Sequence, residues 1–186
     1  DNHIYCLDAK DGKLVWKYAT DGGVVTRPAA YDGSIFIGSE DKRLHVVSAR
    51  TGKVVWTYYT EGRVHSSPRV AESHVSFGSD DQHLHAVNVG TGRAAWTFEA
   101  AAPVRSTPFV AQEMVYAGCE NGDFYALDFR GAMKWSYKAK MAITSSPWPV
   151  AWLMAQYRQA MVMSMTMRVA VRNATSPCSR PKPESM

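Results

Sequence analysis

Hydrophobic and polar residues alternate along most of the chain in short runs. Residues 44–48 (LHVVS) and 84–88 (LHAVN) carry the same run forty positions apart. Alternation with a period of two places successive side chains on opposite faces of a sheet, so each run predicts a β-strand. Residues 53–56 (KVVW) and 93–96 (RAAW) predict a further strand, which we expect to end at the tryptophan. No part of this pattern shows the 3.6-residue period of a helix.

The alternation belongs to a repeat of about forty residues. Tryptophan, proline and glycine each recur at intervals of 40, 40 and 39 residues. The members are Trp16, Trp56, Trp96 and Trp135; Pro28, Pro68, Pro108 and Pro147; and Gly12, Gly52, Gly92 and Gly131. Because three unrelated residue types keep one interval, the period predicts a repeat protein.

Each repeat is predicted to contain four short strands joined by tight turns. The turns at 50–52 (RTG) and 90–92 (GTG) supply glycine where a hairpin requires a positive φ angle. The repeat prolines stand at the head of a strand, where the missing N–H breaks no ladder hydrogen bond. A four-stranded sheet cannot bury both faces alone, so its copies must stack. We therefore predict an all-β fold, a β-propeller of four-stranded antiparallel blades.

The predicted propeller region covers residues 1–147. It begins with a partial blade and continues with three full blades at about 28–66, 68–106 and 108–146. Since propellers close with about four to eight blades, we expect the ring to be incomplete and the chain to be a fragment. A parallel β-helix would need shorter rungs, and helical repeats would show a different period.

Residues 148–186 depart from the repeat, and methionine occupies every second position from 161 to 167. One interpretation is a disordered or weakly helical C-terminal tail. The other is a frameshift just after Pro147, because shifting the reading frame places a glycine near the position that Gly122 holds after Pro108. The coding DNA distinguishes the two interpretations.

The charge of the chain is divided unevenly between the repeats and the tail. The formal net charge is +4, yet residues 1–147 hold 16 basic and 16 acidic side chains. The repeat region therefore has no electrostatic reason to bind a polyanion, and we expect no nucleic-acid partner. No apolar run is long enough to cross a bilayer, so no transmembrane segment is expected. Three scattered cysteines predict neither a disulfide framework nor a zinc site.

Six histidines suggest a metal site at first sight. His45 and His85, however, hold the repeat position that is Tyr5 and Tyr125 in the other units. Aromatic packing explains them better than ligation, and we see no convincing carboxylate partner for either. We predict no metal ligand, and no catalytic residue, because no Ser-His-Asp set or phosphate loop stands out.

The unit LHAVNVGTGRAAWTF, followed by VRSTPFVAQEMVYAGCENGDFYALD, resembles the pyrroloquinoline-quinone-like (PQQ-like) propeller repeat. The signature of that family combines an Ala-Leu-Asp strand end, a Thr-Gly turn, a docking tryptophan and Ser-Ser-Pro. The resemblance implies that each tryptophan packs flat against the neighbouring blade and holds the blades together. The implied docking residues are Trp16, Trp56, Trp96 and Trp135, with turn glycines Gly12, Gly52, Gly92 and Gly131. The fourth unit departs from the pattern because it is one residue short and lacks a threonine before Gly131.

The resemblance implies a non-enzymatic scaffold or sensor module that binds a protein or peptide, or a small molecule, and needs no cofactor. The resemblance implies one of two kinds of protein: the propeller lipoprotein of the outer-membrane β-barrel assembly machinery, or a sensor domain of a bacterial Ser/Thr kinase. The regular Ser-Ser-Pro and Gly-Ser pairs resemble the generic and kinase-associated type more. Both kinds of protein imply a periplasmic or cell-surface location. The alternative is a fragment of a PQQ-dependent quinoprotein dehydrogenase, which would require PQQ and calcium. The adjacent cysteine pair of those enzymes is absent from this sequence.

A binding surface is expected at positions that differ between the repeats, because the residues at repeated positions are needed for packing. The position three residues before each repeat proline holds Val25, His65, Arg105 and Thr144. We predict that the rim of the central channel is lined by Arg27, Arg63, His65 and Arg105. These side chains would contact an acidic ligand or peptide; the alternative is that they are solvated loop charges.

Overall fold

The computed structural model describes residues 1–145, which form fourteen β-strands and no helix. A first hairpin consists of β1 (His3–Leu7) and β2 (Leu14–Ala19). Blade I consists of β3 (Ala29–Tyr31), β4 (Ser34–Ser39), β5 (Arg43–Ser48) and β6 (Val54–Tyr59). Blade II consists of β7 (Arg69–Ala71), β8 (His74–Gly78), β9 (His83–Asn88) and β10 (Ala94–Glu99). Blade III consists of β11 (Phe109–Ala111), β12 (Met114–Gly118), β13 (Asp123–Asp128) and β14 (Met133–Lys138).

Each blade is an antiparallel sheet in which strands that follow one another in sequence are neighbours. The order is β3-β4-β5-β6 in blade I, and the same order recurs in blades II and III. The prediction of an all-β propeller with an incomplete ring is confirmed. The frameshift hypothesis and the repeat proline Pro147 lie outside the described residues. Within the described range, no helix is long and apolar enough to cross a membrane.

The tryptophan strand is longer than the sequence pattern predicts. We expected it to end at Trp56, but β6 continues to Tyr59. Tyr58 pairs with Leu44, and Tyr59 pairs with Arg43 on the neighbouring strand. The prediction was wrong because the strand continues to find backbone partners along β5, and Tyr58 also packs against the core.

A β-bulge precedes each repeat tryptophan. In blade I, Val54 pairs with Val47 and Trp56 pairs with Val46, so Val55 is the extra residue. A bulge bends its strand and changes the direction in which the next side chain points. Here Val55 is 53% exposed, whereas the Trp56 ring is half-buried. The register shifts in the same way before Trp16, Trp96 and Trp135.

Two of the three hydrophobic clusters among residues 1–145 combine residues of neighbouring blades, and the third lies within blade III around Phe109, Tyr116, Phe124 and Ala126. The first cluster combines residues of blades I and II: Phe36, Leu44, Val46, Val64, Val75, Phe77 and Val87. The second combines residues of blades II and III: Leu84, Ala100, Val104, Val115, Ala117, Cys119 and Leu127. Because these apolar faces leave water only when two sheets stack, each blade depends on its neighbour for stability.

The first strands of the three blades lie together on the inner side of the array. Strands β3, β7 and β11 are each three residues long, and β7 contacts both of the others. Each of them is the last strand at one edge of its sheet. The inner strands therefore bring residues from three separate repeats into one region.

Candidate binding site

The repeat tryptophans lie at the seams, which we define as the contacts between neighbouring sheets. The ring of Trp56 stacks over Gly92, in a turn of blade II. Its Nε1 donates a hydrogen bond to the carbonyl oxygen of Val89 at 3.1 Å. The same arrangement recurs at 2.9 Å for Trp16 with Gly52 and Ala49, and at 2.8 Å for Trp96 with Gly131 and Phe129. Each indole thus buries an apolar face while its polar N–H stays satisfied.

The turn glycines are required by backbone conformation and by space. Gly92 has a φ angle of 67°, and a Cβ added there would lie 2.8 Å from Cδ2 of Trp56. At Gly12, by contrast, an added Cβ has nothing within 4 Å. Trp135 packs within its own blade, with its ring centroid 5.8 Å from that of Phe124. Within residues 1–145, therefore, three of the four predicted tryptophans meet a turn glycine.

A second seam contact is a hydrogen-bonded relay through a buried histidine. Nε2 of His45 donates to the Asp41 carboxylate at 2.8 Å, and its Nδ1 shares a hydrogen bond of 2.9 Å with the Tyr18 hydroxyl. The tyrosine belongs to the preceding hairpin, so the relay crosses from one sheet to the next. His45 and Asp41 side chains are only 2% and 4% exposed. A second relay, between blades I and II, joins Tyr58, His85 and Asp81.

The relays correct one expectation from the sequence. We saw no carboxylate partner for His45 or His85, yet an aspartate stands four residues before each of them and reaches its ring. The aromatic role is present as well, since the His85 ring stacks on Phe77 at 5.2 Å. Side chains an even number of residues apart along an extended chain lie on the same face. The spacing of four residues between each aspartate and its histidine was therefore a signal in the sequence that could have revealed these pairs.

The Asp81 carboxylate is held in its ionised form by its surroundings. Burial raises the pKa of Asp81, but the hydrogen bond and charge of His85 and the backbone N–H groups of His83 and Glu61 outweigh it. The resulting pKa is about 2, against an ordinary value of 3.8. Burial, together with this negative charge, raises the pKa of the Tyr58 hydroxyl. The Asp81 carboxylate therefore stays ionised and the Tyr58 hydroxyl stays protonated at neutral pH.

Charged side chains form a third seam contact, a charge ladder made of Glu40, His65, Asp80, Arg105 and Glu120. Nε2 of His65 lies 2.9 Å from Oε1 of Glu40, and its Nδ1 lies 3.2 Å from Oδ2 of Asp80. Arg105 donates two hydrogen bonds to Asp80, at 2.7 and 3.0 Å, and one to Glu120 at 2.6 Å. The ladder thus joins all three blades through alternating charges.

Ionisation of the ladder follows from these contacts. The hydrogen bond from His65 lowers the pKa of Glu40. Burial raises the pKa of Asp80, yet Arg105 and His65 together bring it below its usual range. Asp80 in turn raises the pKa of Arg105. These contacts favour the ionised forms of Glu40, Asp80 and Arg105.

The inner strands enclose a cleft of about 490 Å³, which we call the inner cleft. It is lined by Arg27, Pro28, Ala29, Ala30, Ser67, Pro68, Arg69, Val70 and Thr107. Arg27 and Arg69 are exposed, and neither forms an ion pair with any residue in the range 1–145. The lining contains two guanidinium groups and, among the described residues, no carboxylate. The cleft is therefore positively charged.

Hydrogen bonds between repeats hold the heads of the inner strands in place. The backbone N–H of Arg27 donates to Oγ of Ser67 at 2.9 Å. The hydroxyl of Ser66 is buried and donates to the carbonyl oxygen of Ser106 at 2.7 Å. These contacts link three consecutive blades immediately beside the cleft. Its walls are consequently part of the packed structure.

The four predicted rim residues fall into two groups. His65 and Arg105 meet in the charge ladder, and Arg63 is exposed near Glu40. Only Arg27 lies in the inner cleft. Sequence reasoning missed Arg69, although it follows Pro68 at a position held by alanine and phenylalanine in the neighbouring blades. That departure from the repeat was the available signal.

The described residues include neither a metal-ligating cluster nor an adjacent pair of cysteines. Residues 1–145 contain no group of three or more His, Cys, Asp or Glu side chains arranged to hold a metal ion. Cys6 and Cys119 are free thiols on separate sheets, not a neighbouring pair. Burial, with the charge of Asp123, raises the pKa of the Cys119 thiol to about 12, which makes it a poor nucleophile.

The four-stranded blades, the forty-residue repeat and the stacked tryptophans define a β-propeller of the PQQ-like repeat class. A family model described as outer membrane protein assembly factor BamB matches residues 1–174. The chain belongs to this family.

Solved structures share the fold at low sequence identity. The computationally designed Ika8 protein matches with a TM-score of 0.71 and 15% identity, over 78% of this chain and 46% of its own. Sqt1 of Saccharomyces cerevisiae matches with a TM-score of 0.70 and 15% identity, over 77% and 44%. A quinohemoprotein alcohol dehydrogenase of Pseudomonas putida matches with a TM-score of 0.58 and 23% identity, over 64% and 21%. At these identities the likeness concerns the fold alone.

One curated relative shares a short segment. Beta-alanine-activating enzyme of Danio rerio is 39% identical over 36 residues, which is 19% of this chain and 3% of that protein. The chain thus spans a small fraction of this relative and less than half of each of the three structures above.

Proposed function

We propose that the protein is a non-enzymatic scaffold that binds another protein outside the cytoplasm, as a factor in outer-membrane assembly. Its membership of the assembly-factor family supports this role. The observation that carries it is that two arginines without a carboxylate partner among residues 1–145, Arg27 and Arg69, line one cleft together. A surface whose charged side chains form no ion pair is suited to bind a molecule of opposite charge.

The histidine–aspartate pairs support binding rather than catalysis. A histidine oriented by a carboxylate is the arrangement of a general base. In the relay of His45, however, the second ring nitrogen bonds to Tyr18 and the side chain is 2% exposed. His85 is bonded in the same way to Tyr58 and is 6% exposed. A substrate has no path to either ring, so both pairs serve the seams.

The test is removal of the encoding gene from its native bacterium, with the β-barrel proteins of the outer membrane measured afterwards. We expect their amounts to fall and to recover when the intact gene is restored. A parallel assay supplies the purified protein with PQQ and calcium and follows dye-linked oxidation of alcohols and sugars. Oxidation in that assay, or an unchanged outer membrane, would contradict the proposal.

A further inference from the structure

The inner cleft carries positive charge that no residue in the range 1–145 neutralises. Two arginines of the described range have carboxylate partners: Arg43 with Asp21 at 2.8 Å, and Arg105 with Asp80. Arg27 and Arg69 are among those that have none there, and what distinguishes these two is that they line the same cleft. We propose that the cleft binds an acidic segment of a partner protein in an extended conformation. The inference rests on the scaffold function proposed above.

The lining matches alternating acidic and apolar side chains. A guanidinium group binds a carboxylate through two parallel hydrogen bonds, so Arg27 and Arg69 each suit one acidic residue. Pro28, Pro68 and Val70 supply apolar surface in the same cleft. Because successive side chains of an extended segment point to opposite sides, acidic and apolar residues can reach these two kinds of surface in turn.

Backbone groups favour an extended segment over a helix. Strands β3 and β7 line the cleft, and each is the edge strand of its sheet. An edge strand presents N–H and C=O groups that pair with an added chain. Oγ of Ser67 accepts from Arg27, and its own hydrogen has no acceptor among residues 1–145. That hydroxyl can donate to a carbonyl or carboxylate of the bound segment.

The amount of charge separates an acidic peptide from a nucleic acid. Nucleic-acid sites use rows of basic side chains to neutralise many phosphates. The cleft holds two guanidinium groups, and residues 1–147 have equal numbers of basic and acidic side chains. Two cationic groups beside apolar surface suit a segment with two carboxylates.

The test measures binding of a short fluorescein-labelled peptide in which glutamate alternates with valine, by fluorescence anisotropy with the full chain. The control peptide has glutamine in place of every glutamate. The protein variants are Arg27→Gln and Arg69→Gln, with Arg50→Gln as the matched control on an exposed turn outside the cleft. We expect each cleft variant to weaken binding of the glutamate peptide about tenfold, because one charge-assisted contact is lost. Arg50→Gln leaves the affinity unchanged, and added salt weakens binding of the glutamate peptide alone.

Three results would overturn the inference. They are failure of the glutamate peptide to bind at low salt, equal binding of the glutamine peptide, and unchanged affinity in both cleft variants. Citrate is the small-anion comparison, and binding of citrate as tight as that of the peptide would also overturn it. If outer-membrane assembly depends on the protein but tolerates both cleft substitutions, the scaffold function stands and the inner cleft is not its partner surface.

Discussion

The seams and the inner cleft use polar side chains in opposite ways. At the seams, polar groups bond across neighbouring sheets: the indole of Trp56 donates to a carbonyl of blade II, and His45 bonds both to Tyr18 of the preceding hairpin and to Asp41 of its own blade. In the cleft, Arg27 and Arg69 are exposed, and neither has a carboxylate partner among residues 1–145. The difference indicates that seam residues serve stability, whereas cleft residues are available for binding.

The comparison also shows where repeat proteins carry specificity. Positions that are identical in every unit, such as the tryptophan and the turn glycine, are occupied by contacts that every unit must make. Positions that differ between units do not make a contact that every unit requires. Arg27 and Arg69 both stand at such positions, next to a repeat proline.

Removal of a seam tryptophan is expected to have the largest effect. Trp56→Ala deletes a half-buried ring that stacks on Gly92 and packs edge-on against Phe36 at 5.9 Å. We expect the free energy of unfolding to fall by about 3 kcal/mol, the lower end for a large aromatic side chain. Urea titration measures this, and Trp56→Phe, which keeps a ring but loses the N–H, should lose less. A loss in Trp56→Ala below about 1 kcal/mol would show that the seam does not depend on the indole.

Substitution of the turn glycine tests the same seam from the other side. Gly92→Ala puts a side chain at a φ of 67° and a Cβ 2.8 Å from the Trp56 ring. We expect a loss of about 2 kcal/mol, from the left-handed backbone and from displacement of the indole. Gly90→Ala in the same turn is the matched control, because its Cβ would meet only Oδ1 of Asn88, at 3.6 Å. Equal unfolding midpoints for the two variants would contradict the prediction.

The relay of His85 predicts how stability depends on pH. The pKa of Asp81 is about 2 in the folded protein, below its ordinary value of 3.8, so the fold favours the ionised carboxylate. This stabilisation is complete above about pH 5 and is lost as the pH falls towards about 2. We expect the unfolding free-energy difference between the natural protein and Asp81→Asn to shrink by about 1–2 kcal/mol over that range.

Urea unfolding at several pH values measures this difference. Asp32→Asn is the control, because Asp32 is exposed in a turn. Its difference from the natural protein should stay small throughout the same range. A difference for Asp81→Asn that does not change with pH would mean that the relay does not stabilise the ionised form.

The smallest expected effects come from replacing arginine with glutamine, once at a seam and twice in the inner cleft. Arg105→Gln breaks a two-bond ion pair with Asp80, and we expect a loss of about 1 kcal/mol because the pair is partly exposed to solvent. Arg27→Gln and Arg69→Gln remove charges that no residue of the described range pairs, so each should change stability by less than about 0.5 kcal/mol. Thermal unfolding followed by circular dichroism compares the three variants. A larger loss in the cleft variants than in Arg105→Gln would reverse the distinction between the regions.

The fold follows from the sequence because its strongest signals are local and periodic. Alternation fixes which residues share a face, and the recurring Trp, Pro and Gly fix the length of a unit. The end of the tryptophan strand was not predictable from this pattern. It depends on backbone pairing with a strand that lies earlier in the chain, as Tyr59 with Arg43 shows.

The candidate site was predictable only in part. The predicted rim included Arg27, which does line the cleft, but the variable position before each repeat proline selected His65 and Arg105, which pair with acidic residues of other turns. Sequence alone does not reveal such pairing, because Arg105 and Asp80 are 25 residues apart and meet only when two blades stack. The histidine relays were not predicted for the same reason, because the tyrosine of each relay belongs to the preceding sheet.

The most direct test of the central claim is amide hydrogen exchange of the full chain with and without the glutamate–valine peptide. If the inner cleft is the partner surface, exchange slows at residues 27–31 and 67–71, where β3 and β7 lie. Exchange at the turns 49–52 and 89–92, which form the seams, should remain unchanged. Protection confined to those turns, or no protection at the inner strands, would contradict the account.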